Sequence, residues 1–197
     1  MRVSRATTAG KGGVPRALLV AGATTKLDAT AEAIAIARGL AKREQVVLVD
    51  LTRGPASISG ALGLPRTPGL TDLVAGRAGF EDVVRIDDDS ALQVISAGNP
   101  KLLGANDGEN ARFARLFEAL THTYDSVVLH ADREAVRRLT PALKFELPLM
   151  VAVLPAGAGD GGVKTDLAEF SALGCPVLVY EQSKKPRSRF FERVAAV

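Results

Sequence analysis

Four places in the chain carry residue types that can handle phosphate, metal or protons. The first is Gly22 to Asp28 (GATTKLD), which joins an apolar run, Ala17 to Ala21, to a helical pattern over Ala29 to Lys42. A loop that follows a strand and opens a helix is where backbone N–H groups and a lysine cradle phosphate. Gly22, Thr24, Thr25, Lys26 and Thr30 supply the flexible backbone, hydroxyls and cation such a loop needs. The second is Asp50, which ends the run Val46-Val47-Leu48-Val49 and is followed by Thr52. An unbroken apolar run marks a strand buried on both faces, and ligands of open α/β sheets sit at the carboxyl ends of such strands. The third is His130, which closes the run Tyr124 to His130. A metal or base role for it needs partners, yet His122 falls at the end of a helical pattern and Cys175 is the only thiol. The fourth is the glycine-rich stretch after Pro155 (AGAGDGGVKT), where Val163 separates Gly162 from Lys164, so G-x-x-x-x-G-K is not met. Lys11-Gly12-Gly13-Val14 imitates a phosphate loop, but it precedes the first strand and runs into Pro15.

The elements that must hold these residues alternate. Strands are predicted at Ala17–Ala21, Val46–Val49, Leu92–Ser96, Tyr124–His130, Leu147–Leu154 and Pro176–Tyr180. Between them lie helical patterns at Ala29–Lys42, Ser57–Leu62, Thr71–Val74, Ala111–Leu120 and Thr165–Leu173. In the first, Ala33, Ile36, Ala37 and Leu40 share a face; in the fourth, Phe113, Leu116, Phe117 and Leu120 do. β-branched runs alternating with helices predict an α/β fold: a doubly wound, mainly parallel sheet with helices on both faces, and with Ala17–Ala21, Val46–Val49 and Val127–Leu129 inside it. Residues 1–16 read as a basic tail or linker, 17–181 as the folded domain, and 182–197 as a basic segment with helical character.

Composition narrows the classes. At 197 residues, 47% hydrophobic and 24% charged, the chain fits one domain with a substantial core. A single cysteine excludes an internal disulfide and suits a reducing compartment. A net charge of +3, with no Trp and two Tyr, gives neither the basic surface nor the stacking platforms of a nucleic-acid binder. No apolar run approaches the roughly 18 residues of a membrane helix, and no signal-peptide pattern opens the sequence.

After the Asp50 strand, Leu62-Gly63-Leu64, Pro68-Gly69-Leu70, Asp72-Leu73 and Gly76 stand in fixed order and spacing. This stretch resembles the cytoplasmic domain of bacterial tyrosine kinases that control capsule and exopolysaccharide chain length, within the larger group of chromosome-partitioning and division-site P-loop ATPases. That family typically follows a V-L-L-I-D strand with D-L-R-R-P, a short helix ending L-G-L, and P-G-L-x-D-L-L-x-G. Tyr124 to His130 matches its Y-D-Y-V-I-I-D strand, and Ala97-Gly98-Asn99-Pro100 resembles its A-G-x-x-P segment. The likeness covers about residues 17 to 180 and implies a P-loop NTPase-like three-layer sandwich.

The same resemblance makes the departures legible. With Thr30 on the family's magnesium-binding Ser/Thr, Ala29 stands where the phosphate-binding Lys belongs and Asp28 where a glycine does. Thr52 stands near the second Asp of a D-x-D pair, and His130 replaces the late Asp that orients the magnesium shell. Losing one cation about 4 Å from a phosphate forfeits roughly 4 kcal/mol in a medium of intermediate dielectric, and an added carboxylate repels by a similar order. The cluster of phosphorylated tyrosines at the family's C-terminus has no counterpart. The expectation is a non-catalytic relative, a pseudo-ATPase or pseudokinase, with no metal, no required cofactor and at most weak Mg·ATP binding. The alternative is an active ATPase or protein-tyrosine kinase that uses Lys26 or Lys164 in an altered phosphate site; a cargo-positioning relative of the partitioning ATPases is a third. The resemblance further implies a cytoplasmic location at the inner face of the bacterial plasma membrane and peripheral membrane contact only. The implied partners are the chain itself or a membrane-anchored polysaccharide copolymerase, with Leu62, Leu64, Pro68, Leu70, Asp72 and Leu73 as the interaction surface.

Overall fold

The computed structural model describes residues 16–24, 27–52, 54, 57–99, 107–139, 143, 148–155, 171–172 and 174–182. The expected tail over 1–15, the glycine-rich stretch with Lys164, Thr25, Lys26 and the segment 183–197 lie outside them.

The elements are β1 (Ala17–Gly22), α1 (Thr30–Leu40), β2 (Val46–Asp50), α2 (Ile58–Ala61), α3 (Leu70–Val74), α4 (Phe80–Val83), β3 (Val84–Ile86), β4 (Gln93–Ile95), α5 (Asp107–Thr123), β5 (Ser126–Ala131), α6 (Arg133–Leu139), β6 (Leu149–Leu154) and β7 (Val177–Glu181). The seven strands form one sheet in the order β3-β4-β2-β5-β1-β6-β7. All pairings are parallel except β3 with β4. β1, β2 and β5 are interior, as their unbroken apolar runs predict, and every residue of the three is buried.

Side chains alternate across the pleat, so each inner strand feeds two cores. Leu18, Val20, Val46, Leu48 and Val128 join Ala33, Ile36, Ala37 and Leu40 of α1 and Ile58 of α2 on one face. Leu19, Val47, Val49, Val127 and Leu129 join Leu70 of α3, Phe113 and Phe117 of α5, and Val136 and Leu139 of α6 on the other. This is the expected three-layer α/β/α sandwich.

Three elements were not foreseen. β3 and α4 are short, and only the antiparallel ladder Val84↔Ile95 to Ile86↔Gln93 gives β3 its strand character. α6 follows Asp132, whose Oδ1 accepts the Ala135 N–H at 2.8 Å. That is an N-cap, and it was open to reading in the sequence.

The β3–β4 turn is tied to α1 by charge. Arg38 Nε and Nη2 donate to the two oxygens of the buried Asp87 at 2.8 and 2.6 Å, and Nη2 reaches Asp89 at 2.8 Å. Burial by itself pushes the Asp87 carboxyl up. Hydrogen bonds from Arg38 and Ser90 and the guanidinium charge outweigh this and hold it below the usual carboxylate range.

Candidate functional site

The chemistry-bearing residues converge where the winding of the sheet reverses. From β1 the chain crosses through α1 on one face, and from β5 it crosses through α6 on the other. The carboxyl ends of the adjacent strands β2, β5 and β1 therefore meet at a topological switch point. β2 delivers Asp50, β5 places His130 beside it in register, and β1 ends at Gly22.

Asp50 is fully buried. Its Oδ1 accepts the N–H and hydroxyl of Thr52 at 3.0 and 2.7 Å, and its Oδ2 accepts the Ile58 N–H at 3.0 Å. The carboxylate thus shapes its own loop and holds the first turn of α2. Ser57 caps the same helix by accepting the Gly60 N–H at 3.1 Å.

His130 is 2% exposed. Its Nδ1 lies 3.4 Å from Asp50 Oδ1, close enough for electrostatic contact but without hydrogen-bond geometry. Its Nε2 lies 3.5 Å from the Thr30 hydroxyl. Thr30 opens α1, and both its N–H (2.9 Å) and its hydroxyl (2.5 Å) donate to Asp28 Oδ1. An acceptor at a helix start is stabilised by the unpaired N–H groups and the positive end of the dipole. Ala29, between them, is buried among the apolar residues beneath α1.

Asp28, Thr30, His130, Asp50 and Thr52 therefore form one continuous line of polar contacts across three chain segments. Of the other described residues predicted for this site, Gly22 ends β1, Ala29 precedes α1 and Thr24 is half-buried in the loop between them. That loop folds back over the strand: a Cβ on Gly22 would overlap the Leu27 carbonyl oxygen, so glycine is required there. It is pinned from α6 by Arg133, whose Nη1 donates to the Ala23 carbonyl at 2.9 Å. Arg133 escaped the sequence reading because its helix did. Among the described residues no group of three His, Cys, Asp or Glu side chains is arranged to hold a metal ion.

The segment expected to be an interaction surface is different in kind. Leu70 is fully buried in the core beneath α3, which corrects its assignment to the surface. Leu73 packs against that core, and Leu62 and Leu64 pack against the opposite one, so these side chains anchor the segment. Only Pro68 stands exposed, and Asp72 is occupied: its Oδ2 accepts the Gly69 N–H at 3.0 Å and its Oδ1 accepts from Arg77 at 3.0 Å. The stretch is stitched to the end of β4. Leu70 N–H donates to the Ser96 carbonyl at 2.8 Å, Asn99 N–H donates to the Thr71 hydroxyl at 2.8 Å, and Arg66 Nε donates to the Gly98 carbonyl at 3.1 Å. Gly69 passes so close that a Cβ would lie 2.5 Å from Ser96 and Gly98 backbone atoms.

Backbone architecture places the chain among known folds. The chain has the P-loop NTPase-like fold of bacterial tyrosine kinase domains and plasmid partition proteins. It is similar to the kinase domain of VpsO at TM-score 0.69 and 22% identity, covering 86% of each chain. The BceF tyrosine kinase domain matches at TM-score 0.67 and 21% identity, over 84% of this chain and 68% of that one. A plasmid partition protein from Borrelia burgdorferi matches at 0.64 and 15%, over 93% and 87%. No family model and no curated relative matches the chain. Among the described residues no helix is long and apolar enough to cross a membrane.

Proposed function

We propose that this chain is a non-catalytic relative of the bacterial tyrosine kinase domain, a pseudo-ATPase that serves as an assembly or regulatory module in exopolysaccharide biosynthesis and export. One observation carries the reading: the side chains at the magnesium and phosphate positions are joined to each other. The Thr30 hydroxyl, which would turn to a metal, donates to Asp28. The Asp28 carboxylate already provides the negative charge that the start of α1 attracts, so a phosphate arriving there would meet an anion in place. Asp50 has donors on both oxygens. A neutral imidazole at His130 is a poor member of a magnesium shell, which favours hard oxygen ligands. With Ala29 buried and apolar, the described residues do not fit Mg·ATP.

Isothermal titration tests this directly. Neither Mg·ATP nor Mg·ADP should bind tighter than about 1 mM, some 4 kcal/mol of affinity. The double variant Asp28→Gly, Ala29→Lys should gain at least about tenfold, or roughly 1.4 kcal/mol. Micromolar binding by the unaltered chain would overturn the reading and favour an active kinase or ATPase in which Lys26 or Lys164 serves the phosphates. Assembly without chemistry further requires weak self-association, or association with a membrane-anchored copolymerase, at the inner membrane face. Sedimentation should therefore be the same with and without Mg·ATP.

A further inference from the structure

α1 keeps small residues on its outer face. Ala31 and Ala35, one turn apart, are exposed, and Ile34 lies between them at the floor of a cleft of about 750 Å³. Ala61 and Leu62, at the end of α2, form the opposite wall, so the middle of the cleft is apolar. Its two ends are acidic. Asp28 stands exposed beside the first turn of α1. At the last turn Arg38 is paired with Asp87 and Asp89 of the β3–β4 turn, and Asp88 stands exposed next to them. Ten residues (38 − 28) separate the two ends along the chain, about 15 Å on a helix.

Charge and shape together narrow what can lie there. The acidic ends repel the anionic leaflet of a membrane and the phosphate backbone of a nucleic acid. A two-fold contact with a second copy would set the same patch against itself and bring like carboxylates together. An apolar strip along a helix, with acid at both ends, is complementary to another helix that carries the opposite pattern. The small side chains of Ala31 and Ala35 let such a helix approach closely.

We propose that this cleft docks an α-helix of a partner protein that carries Lys or Arg about eleven residues apart, three turns, with aliphatic residues between them on the same face. One cation meets Asp28 and the other meets Asp88. The aliphatic side chains cover Ile34 and lie against Ala31, Ala35 and Leu62. The inference rests on the reading of the chain as an assembly module and gives that module a surface.

The probe is a synthetic helix built on Ala and Gln, about fifteen residues long, with two Lys about eleven apart and two Leu between them on the same face. Fluorescence anisotropy of the labelled peptide against the full chain should give a Kd below about 0.1 mM. Ala35→Trp fills the cleft without changing charge and should weaken binding at least about tenfold, as should the pair Asp28→Lys, Asp88→Lys. The pair Asp107→Lys, Glu118→Lys makes the same change of charge at exposed positions of α5, across the sheet, and should shift Kd less than about twofold. Circular dichroism melts that match the parent certify that each variant is folded. No binding by the parent, equal weakening by the α5 pair, or an Ala35→Trp variant that binds like the parent would each overturn the proposal. So would sedimentation showing that Ala35→Trp abolishes self-association, which would assign the cleft to a second copy. The Mg·ATP titration reads a different ligand, so a failure here leaves the pseudo-ATPase reading standing.

Discussion

The stretch from Leu62 to Arg77 and the site around Asp50 border the same edge of the sheet, yet they treat their polar groups in opposite ways. In the first, residues standing in the order typical of the kinases are used for packing. Leu70 fills the core, Gly69 permits close backbone approach, and Asp72 closes the first turn of α3. In the second, residues that depart from that order have found new partners within the chain. Asp28 takes the helix start and His130 sits between Thr30 and Asp50, while Asp50, which stands where that order has it, organises α2. A motif in this order can therefore serve the fold by itself, and polar groups at strand ends can satisfy one another.

That contrast can be broken at several points, beginning with the largest expected effect. Leu70→Asp places an unpaired charge in the core and should abolish folding, where Leu70→Ala should cost about 2–5 kcal/mol; chemical denaturation measures the second, and wild-type stability in either would return Leu70 to the surface. Asp50→Ala should come next. It strands the Ile58 N–H and removes one acceptor from Thr52, a buried unsatisfied donor being worth about 1–3 kcal/mol. A loss of stability without any change in nucleotide binding would mark Asp50 as architectural.

Acid should reveal the Arg38–Asp87 tie. The Asp87 carboxyl is depressed in the folded chain, so its contribution is complete above the unfolded value of about 3.9 and fades as pH falls through the lower folded value. Because Arg38 is 31% exposed, solvent limits the contribution to about 1 kcal/mol or less. Asp87→Asn should flatten that part of the stability curve below about pH 4, as urea midpoints would record. The smallest effect belongs to Asp28, which is exposed and precedes the N-cap Ala29: Asp28→Gly should cost about 1 kcal/mol or less in thermal stability. A large loss there would make Asp28 as structural as Leu70 and erase the contrast.

The sequence was most informative where one physical demand acted alone. β1, β2 and β5 are buried on both faces, so their unbroken apolar runs located them and put them inside the sheet. Asp50, Thr30 and His130 converge because each follows from the end of such a strand. Leu70 misled, because an apolar residue in a turn-rich segment reads the same whether it faces solvent or plugs a core, and only tertiary contact separates the two. β3 was hidden because three half-exposed residues carry no periodicity and owe their strand character to β4. α6 was hidden because seven residues carry too little apolar periodicity to mark a helix, although Asp132 stood at its start.

The placement of β1 has a consequence for how the molecule comes into being. Its neighbours are β5 and β6, and Ala17 pairs with Val127, a separation of 110 residues (127 − 17). β2 likewise waits for β4 and β5. The first third of the chain therefore emerges from synthesis with two strands that have no partner and an apolar face on α1 with little to cover it. Folding must wait for residues beyond 126 and then close long loops at once, which slows it. Until then the nascent chain exposes apolar segments and unpaired strand edges, which are open to binding by other chains.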